Sequence, residues 1–285
     1  MLILPGASTF ADTTVTRPPA PSAELNTVLM HATFLIVGPS SKVPGASASG
    51  TVFIIGVPHK DEPKIADIVL VTAAHVLDDI AGDKATLLLR RKNDDGTYMA
   101  IPFELPIRIN GRPLYVKHPT ADVVAMYANL PDEVPITGLP PEALVTDKTL
   151  EDIDVHPGDE AFVLGFPLAA SSPGGFPLLR VGHIMSYPLT PMKTIGRIDF
   201  DLFIYPGNSG GPVYFSYSNR VFKGQMHLGM FNQGILGLVI QETHSAIPQF
   251  ADKPLNYGIV VPAPFIRETI DMLPAPPDET TGSIK

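Results

Sequence analysis

Ser209 sits in the run Gly207-Asn208-Ser209-Gly210-Gly211-Pro212, one hydroxyl among three glycines. Glycine costs conformational entropy on folding and is used where the backbone must take φ > 0 or approach another group closely. A serine hydroxyl is a weak nucleophile at neutral pH unless an imidazole takes its proton and a carboxylate holds that imidazole in one tautomer. Both residue types stand in suggestive places. His75 ends the apolar stretch "IVLVTAAH", where the small Ala73 and Ala74 let the backbone pack closely, and Asp122 immediately precedes the apolar run Val123 to Met126. Together the three residues would perform acyl transfer. Taken singly, each has a plainer reading: a β-turn carrying a hydroxyl, a satisfied histidine beside a core strand, and an aspartate capping a loop before a strand.

The elements that must position them are strands. Of 285 residues, 31 are proline and 24 glycine, which disfavours long helices and favours short strands joined by tight turns. Apolar runs of four to eight residues recur from "VLMHATFLIVG" (28–38) onward, bounded by Gly, Pro and Asp, as strand punctuation requires. The proline-heavy stretch 131–158 separates two series of about six strands, which fits two β-barrels or a large sandwich. One helix is predicted, "APFIRETIDML" at 263–273, with Pro264 in its first turn and Phe265, Ile266, Ile270 and Leu273 on one face. Residues 1–27 read as a proline-rich leader and 274–285 as a polar tail, both expected to be disordered.

Composition also excludes. A net charge of −9 without a basic stripe argues against nucleic-acid binding. The absence of cysteine removes disulfide, thiolate-metal and cysteine-nucleophile chemistry. The eight histidines lack metal-ligand spacing, so no metal and no cofactor is expected. No apolar run reaches membrane-spanning length, and the amino-terminal stretch lacks the basic region of a secretory signal, which favours a soluble, cytoplasmic location. Oligomeric state stays open.

In the chain order His, Asp, Ser, the strings "VTAAHV", "ADVVAM" and "GNSGGPV" resemble the motifs of the chymotrypsin-fold serine peptidases, and within them the bacterial HtrA/Deg-like branch. The order matters because other folds arrange the same three roles differently along the chain. "SASGTVFII" (47–55) is similar to the strand ahead of the histidine motif, and "HPGDEAFVLGFPL" to the strand entering the second barrel. The resemblance implies an all-β protein of two six-stranded antiparallel barrels. The first, 28–140, would carry His75 and Asp122; the second, 141–262, would carry Ser209; the helix 263–273 would close the domain.

It also implies roles. Ser209 is the expected nucleophile, His75 the base and Asp122 its orienting partner, with the N–H groups of Gly207 and Ser209 as oxyanion hole and with Gly210 and Gly211 letting the strand behind pass close to the substrate and the histidine. Phe203 and Ile204 are expected at the base of the primary pocket, with Ile240, Gln241 and Glu242 along its wall. Without an acid at Phe203, cleavage of polypeptides after small or medium apolar residues is expected. Asp201 is a candidate internal strut. The cysteine-free chain departs from disulfide-stapled trypsin relatives, no PDZ domain is expected after residue 273, and no zymogen-type amino terminus is visible. A catalytically silent peptide-binding module and a serine esterase are the competing functions.

Overall fold

The computed structural model describes residues 24–58, 66–131, 134, 138–222, 225–244 and 254–276. Most of the expected leader and tail lies outside these residues.

The chain enters through helix α1 (Leu25–Ala32) and passes into β1 (Thr33–Pro39), β2 (Ser47–Pro58), β3 (Ala66–Thr72), the short helix α2 (Ala74–Asp78), β4 (Lys84–Lys92) and β5 (Tyr98–Pro106). Two-residue strands β6 (Arg108–Ile109), β7 (Arg112–Pro113) and β8 (Val116–Lys117) lead to β9 (Val124–Tyr127). These form an antiparallel sheet in the order β5-β4-β1-β2-β3-β9-β8, with β6 and β7 paired apart. After helix α3 (Asp147–Asp152) come β10 (Glu160–Gly165), β11 (Leu178–His183), helix α4 (Met192–Ile195), β12 (Ile198–Phe200), β13 (Pro212–Phe222), β14 (Gln225–His244) and β15 (Pro254–Pro262). Their order is β11-β10-β13-β14-β15-β12, and a bridge from Ile184 to Phe200 brings the two edges of this sheet together. The result is the expected all-β pair of antiparallel barrels.

Alternation explains the strands. Along β4, Ala85, Leu87 and Leu89 are buried while Lys84 and Lys92 face solvent, the period of two that a half-buried strand demands. In β2 the burial is continuous from Gly50 to Ile55, because its outer face is covered as well. Gly50 there makes room for Val76 of α2, whose methyl groups a Cβ would overlap.

The closing helix α5 spans Ala263–Asp271, with Pro264 in its first turn and Phe265, Ile266 and Ile270 buried. It packs on β8 and β9 of the first sheet and on β14 and β15 of the second, so it clamps both barrels.

One sequence expectation is corrected. The run from Val28 is not strand throughout: it is helical to Ala32, and the helix begins at Leu25, inside the expected leader. Leu25, Leu29 and Ala32 form its buried face, an i, i+4, i+7 pattern that marks a helix. The apolar run read as a strand was long enough to hold the end of one element and the start of the next.

Arg90 holds this helix in place. Only 3% exposed, its guanidinium lies over the rings of Phe34 and Phe176 at 4.2 and 4.6 Å. It donates to the carbonyls of Met30, His31, Thr33 and Gly175 at 2.8–3.2 Å. Met30 and His31 belong to the last turn of α1, whose carbonyls lack helical partners, and Gly175 belongs to the turn between β10 and β11. Burial lowers the Arg90 pKa to about 10, so the charge persists at neutral pH. Arg90→Met should lower unfolding free energy by about 3 kcal/mol, since charged hydrogen bonds are lost and buried carbonyls are left unpaired. Urea denaturation checks this, and a change below about 0.5 kcal/mol, the scale of an ordinary surface substitution, would contradict it.

Candidate active site

His75 is carried by α2, which follows β3 directly. Ala73 and Ala74 are fully buried, so the turn from strand to helix packs against the core while the imidazole projects. Asp122 grips this residue twice: its Oδ2 lies 2.6 Å from His75 Nδ1, and its Oδ1 accepts the His75 backbone N–H at 3.0 Å. An ionised carboxylate only accepts, so the ring proton is on Nδ1 and Nε2 is left with its lone pair. Burial pushes the Asp122 pKa up, and this is the largest single influence. The hydrogen bonds and charge of His75, with a smaller effect of Lys117, outweigh it and hold the carboxyl below the ordinary range.

The sign of the pH effect follows. A carboxyl whose folded pKa is depressed stabilises the fold fully above its unfolded value, and that stabilisation is lost as pH falls through the folded value. The difference in melting temperature between the protein and Asp122→Asn should therefore shrink as pH falls below about 4, the unfolded aspartate range. A difference that stays constant from pH 7 to pH 2.5 would contradict the depressed value.

Ser209 lies on the loop between β12 and β13, half-buried. The loop is held by backbone bonds, two within it and one to β14: Asn208 N–H donates to Tyr205 O at 3.0 Å, Gly211 N–H to Asn208 O at 2.9 Å, and Gly210 N–H to Val239 O at 2.7 Å. Two threonines of the first sheet tie it across the junction. Thr51 N–H donates to Ser209 O at 2.8 Å and Thr51 Oγ1 to Gly207 O at 2.7 Å, while Thr72 Oγ1 donates to Thr51 O at 2.7 Å. Thr72 lies three residues before His75, so these bonds fix the serine loop to the strand that delivers the imidazole. Neither threonine was singled out as functional from sequence; the string "SASGTVF" was the available signal for Thr51.

Gly207 and Gly210 have φ of +95° and +85°, which L side chains rarely adopt. A Cβ on Gly207 would overlap the Phe166 carbonyl oxygen. A Cβ on Gly210 would overlap Thr51 O and Thr72 Oγ1, and one on Gly211 would overlap Leu164 O; these glycines let the neighbouring strands approach closely, where a side chain would collide.

Ser209 Oγ donates to Ile240 O at 3.3 Å, and no hydrogen bond joins it to His75 among the described residues. Neither the Gly207 nor the Ser209 N–H donates to a backbone acceptor among them. His75 and Pro206, three residues before the serine, line one cleft of about 260 Å³ together with Ser40, Lys42, Ser49 and Asp79.

Of the expected pocket residues, Phe203 is half-buried and packs on Tyr205 with ring centroids 4.5 Å apart. Arg180 donates to the Phe203 carbonyl and places its guanidinium 5.3 Å from the Tyr205 ring centre. Ile204 is buried, and its side chain occupies the space over Gly258 that a Cβ there would need. Ile240 meets Ser209 through its carbonyl. The side chains of Gln241 and Glu242 lie outside the described residues; their backbones pair with Ile259 and Gly258. Asp201 is exposed and accepts the His183 N–H at 2.5 Å, which binds the end of β12 to β11 and does not make it an internal strut.

Two antiparallel barrels, with imidazole and carboxylate on one and the serine loop on the other, define a peptidase of the chymotrypsin fold. The family model for a trypsin-like peptidase domain matches residues 48–222, and the chain belongs to that family. No curated protein matches the sequence. No helix among the described residues is long and apolar enough to cross a membrane.

Proposed function

We propose that this protein is a serine endopeptidase of HtrA-like type in which Ser209, His75 and Asp122 form the triad. The observation that carries the reading is the double grip of Asp122 on His75, which leaves Nε2 as the free base beside a loop tied to the same strand. Ser209 Oγ attacks the scissile carbonyl as His75 Nε2 takes its proton, and the imidazolium, stabilised by Asp122, returns that proton to the leaving amine. The N–H groups of Gly207 and Ser209, which donate to no backbone acceptor among the described residues, receive the oxyanion. Each such donor contributes about 3–4 kcal/mol to transition-state stabilisation in related chemistry. The division of labour follows the two barrels, 28–140 supplying base and carboxylate and 141–262 the nucleophile.

The Ser209 hydroxyl must turn from the Ile240 carbonyl to Nε2 for this to occur. Catalytic hydrogen bonds often tighten only when substrate binds. The same observation is what favours the second reading, a silent peptide-binding module. Digestion of unstructured casein separates the two, and short-chain esters separate peptidase from esterase. Casein fragmentation that Ser209→Ala abolishes supports the endopeptidase; esters cleaved without casein cleavage, or neither, overturn it.

Polypeptide chains are the substrates in this reading. Phe203 supplies no negative charge, and Ile204 fills space over Gly258, so the pocket suits small or medium apolar side chains. A peptide library should show cleavage after residues such as Ala and Val, with Arg and Lys disfavoured. Basic residues dominating the profile would refute the assignment of Phe203, Ile204, Ile240, Gln241 and Glu242 to the pocket.

A further inference from the structure

The loop that presents Asp122 is organised by a histidine the mechanism does not use. His118 stands four residues before Asp122, immediately after β8, with its side chain only 6% exposed. Its Nδ1 accepts the backbone N–H of Thr120 at 3.2 Å and of Ala121 at 3.0 Å, and the Thr120 hydroxyl lies at 3.4 Å. A ring nitrogen that receives two backbone N–H groups carries no proton. The proton is therefore on Nε2, which lies 3.2 Å from Glu268 Oε2 on α5. The ring also meets Phe265 of α5 edge-on, at 5.2 Å between centroids. Glu268 in turn pairs with Lys193 of α4, while Lys117, the neighbour of His118, turns to Asp78 at 2.7 Å.

The backbone closes the same loop. His118 N–H donates to Val123 O at 3.0 Å and Val123 N–H to Ala121 O at 2.9 Å. Asp122 lies between these bonds, in the one position whose side chain points to His75. Sequence alone would have passed over His118 as one more scattered histidine.

We propose that His118 is a positioning residue for Asp122: through its Nδ1 it gathers the Thr120 and Ala121 amides and so sets the carboxylate to reach both the ring and the backbone of His75, while Glu268 fixes the tautomer this requires. The proposal rests on the triad reading for its effect on turnover, and on the loop geometry alone for its effect on the amides.

Two substitutions divide the two ends of the ring. His118→Asn keeps an oxygen near the Nδ1 position and gives up Glu268. His118→Gln reaches toward Glu268 with its amide N–H and leaves the Thr120 and Ala121 amides without an acceptor. We expect His118→Asn to keep kcat within about threefold, and His118→Gln to lose about 100-fold in kcat with KM nearly unchanged, the size of effect that a small misplacement of a catalytic group produces. Amide hydrogen exchange supplies a readout that needs no turnover: Thr120 and Ala121 should be protected in the unaltered protein and in His118→Asn, and should exchange at least about tenfold faster in His118→Gln, as opened local hydrogen bonds do. Equal activity in the two variants, a loss carried by KM, or unprotected Thr120 and Ala121 amides in the unaltered protein would each overturn the proposal. Should both variants fail to fold, Glu268→Ala decides it: the change removes the acceptor of Nε2–H together with the Lys193 pair, and the Thr120 and Ala121 amides, protected in the unaltered protein, should then exchange faster, whereas unchanged protection would overturn the proposal. If the unaltered protein turns over no substrate, the triad reading fails while the exchange result still decides whether His118 organises the loop.

Discussion

Ser209→Ala should lower kcat by about 10⁶, the scale reached when the nucleophile of a serine triad is removed, and should leave the fold intact. The loop does not depend on the hydroxyl. Its carbonyls at Gly207 and Ser209 are held by Thr51, its Gly210 N–H by Val239, and among the described residues the hydroxyl itself meets only the Ile240 carbonyl. Thermal melting should therefore move little while turnover of casein disappears. His75→Ala should cost nearly as much, and the double variant should cost no more than either alone, because the two residues act as one unit. Additive losses would mean that Ser209 and His75 work independently, which the proposed mechanism forbids.

The second large effect belongs to Asp122. Asp122→Asn should reduce kcat by about 10⁴, as the corresponding change does where a carboxylate fixes the tautomer of the base. The geometry explains the size. An amide oxygen at the Oδ1 position can still accept the His75 backbone N–H, so the side chain keeps its place. Its NH₂ then faces Nδ1 across the 2.6 Å now spanned by a hydrogen bond to Oδ2, and a donor there forces the imidazole proton to Nε2. The base would present a proton to Ser209 instead of a lone pair. Loss of a downfield Nδ1–H resonance alongside the fall in kcat would identify this cause. A variant that keeps its activity would remove Asp122 from the triad.

Much of this site can be read from the chain before its fold is seen, for reasons that differ by residue. Ser209 is marked by glycines that its loop needs at φ +95° and +85°, and His75 by the two alanines that let α2 start against the core. The all-β architecture is legible because apolar runs alternate with Gly and Pro at strand spacing. What escapes is what depends on distant pairing. The role of Gly210 is set by Thr51 and Thr72, 159 and 138 positions earlier in the chain (210 − 51 and 210 − 72), and no local pattern announces such a contact. His118 gains its partners from its own loop and from a helix 150 residues away. Helix α1 is missed for another reason: its apolar face continues without interruption into β1, so the change of period occurs inside a single hydrophobic run.

Arg90 teaches a related lesson. In the sequence it stands in "LLLRRK", which reads as a solvated strand end. In the fold it is buried on the face of β4 opposite Ala85, Leu87 and Leu89, its guanidinium over the rings of Phe34 and Phe176 and bonded to four carbonyls. Its neighbour Arg91 is exposed, so the alternation of β4 assigned one arginine to each side, and only the tertiary structure shows which carbonyls needed a buried donor.

The central claim is that Ser209 is an activated nucleophile, and intact-mass spectrometry after treatment with a fluorophosphonate tests it most directly. A single phosphonyl adduct that maps to Ser209 and is absent from Ser209→Ala and His75→Ala is the expected result. No adduct on correctly folded protein, or an adduct that forms equally without His75, would contradict it.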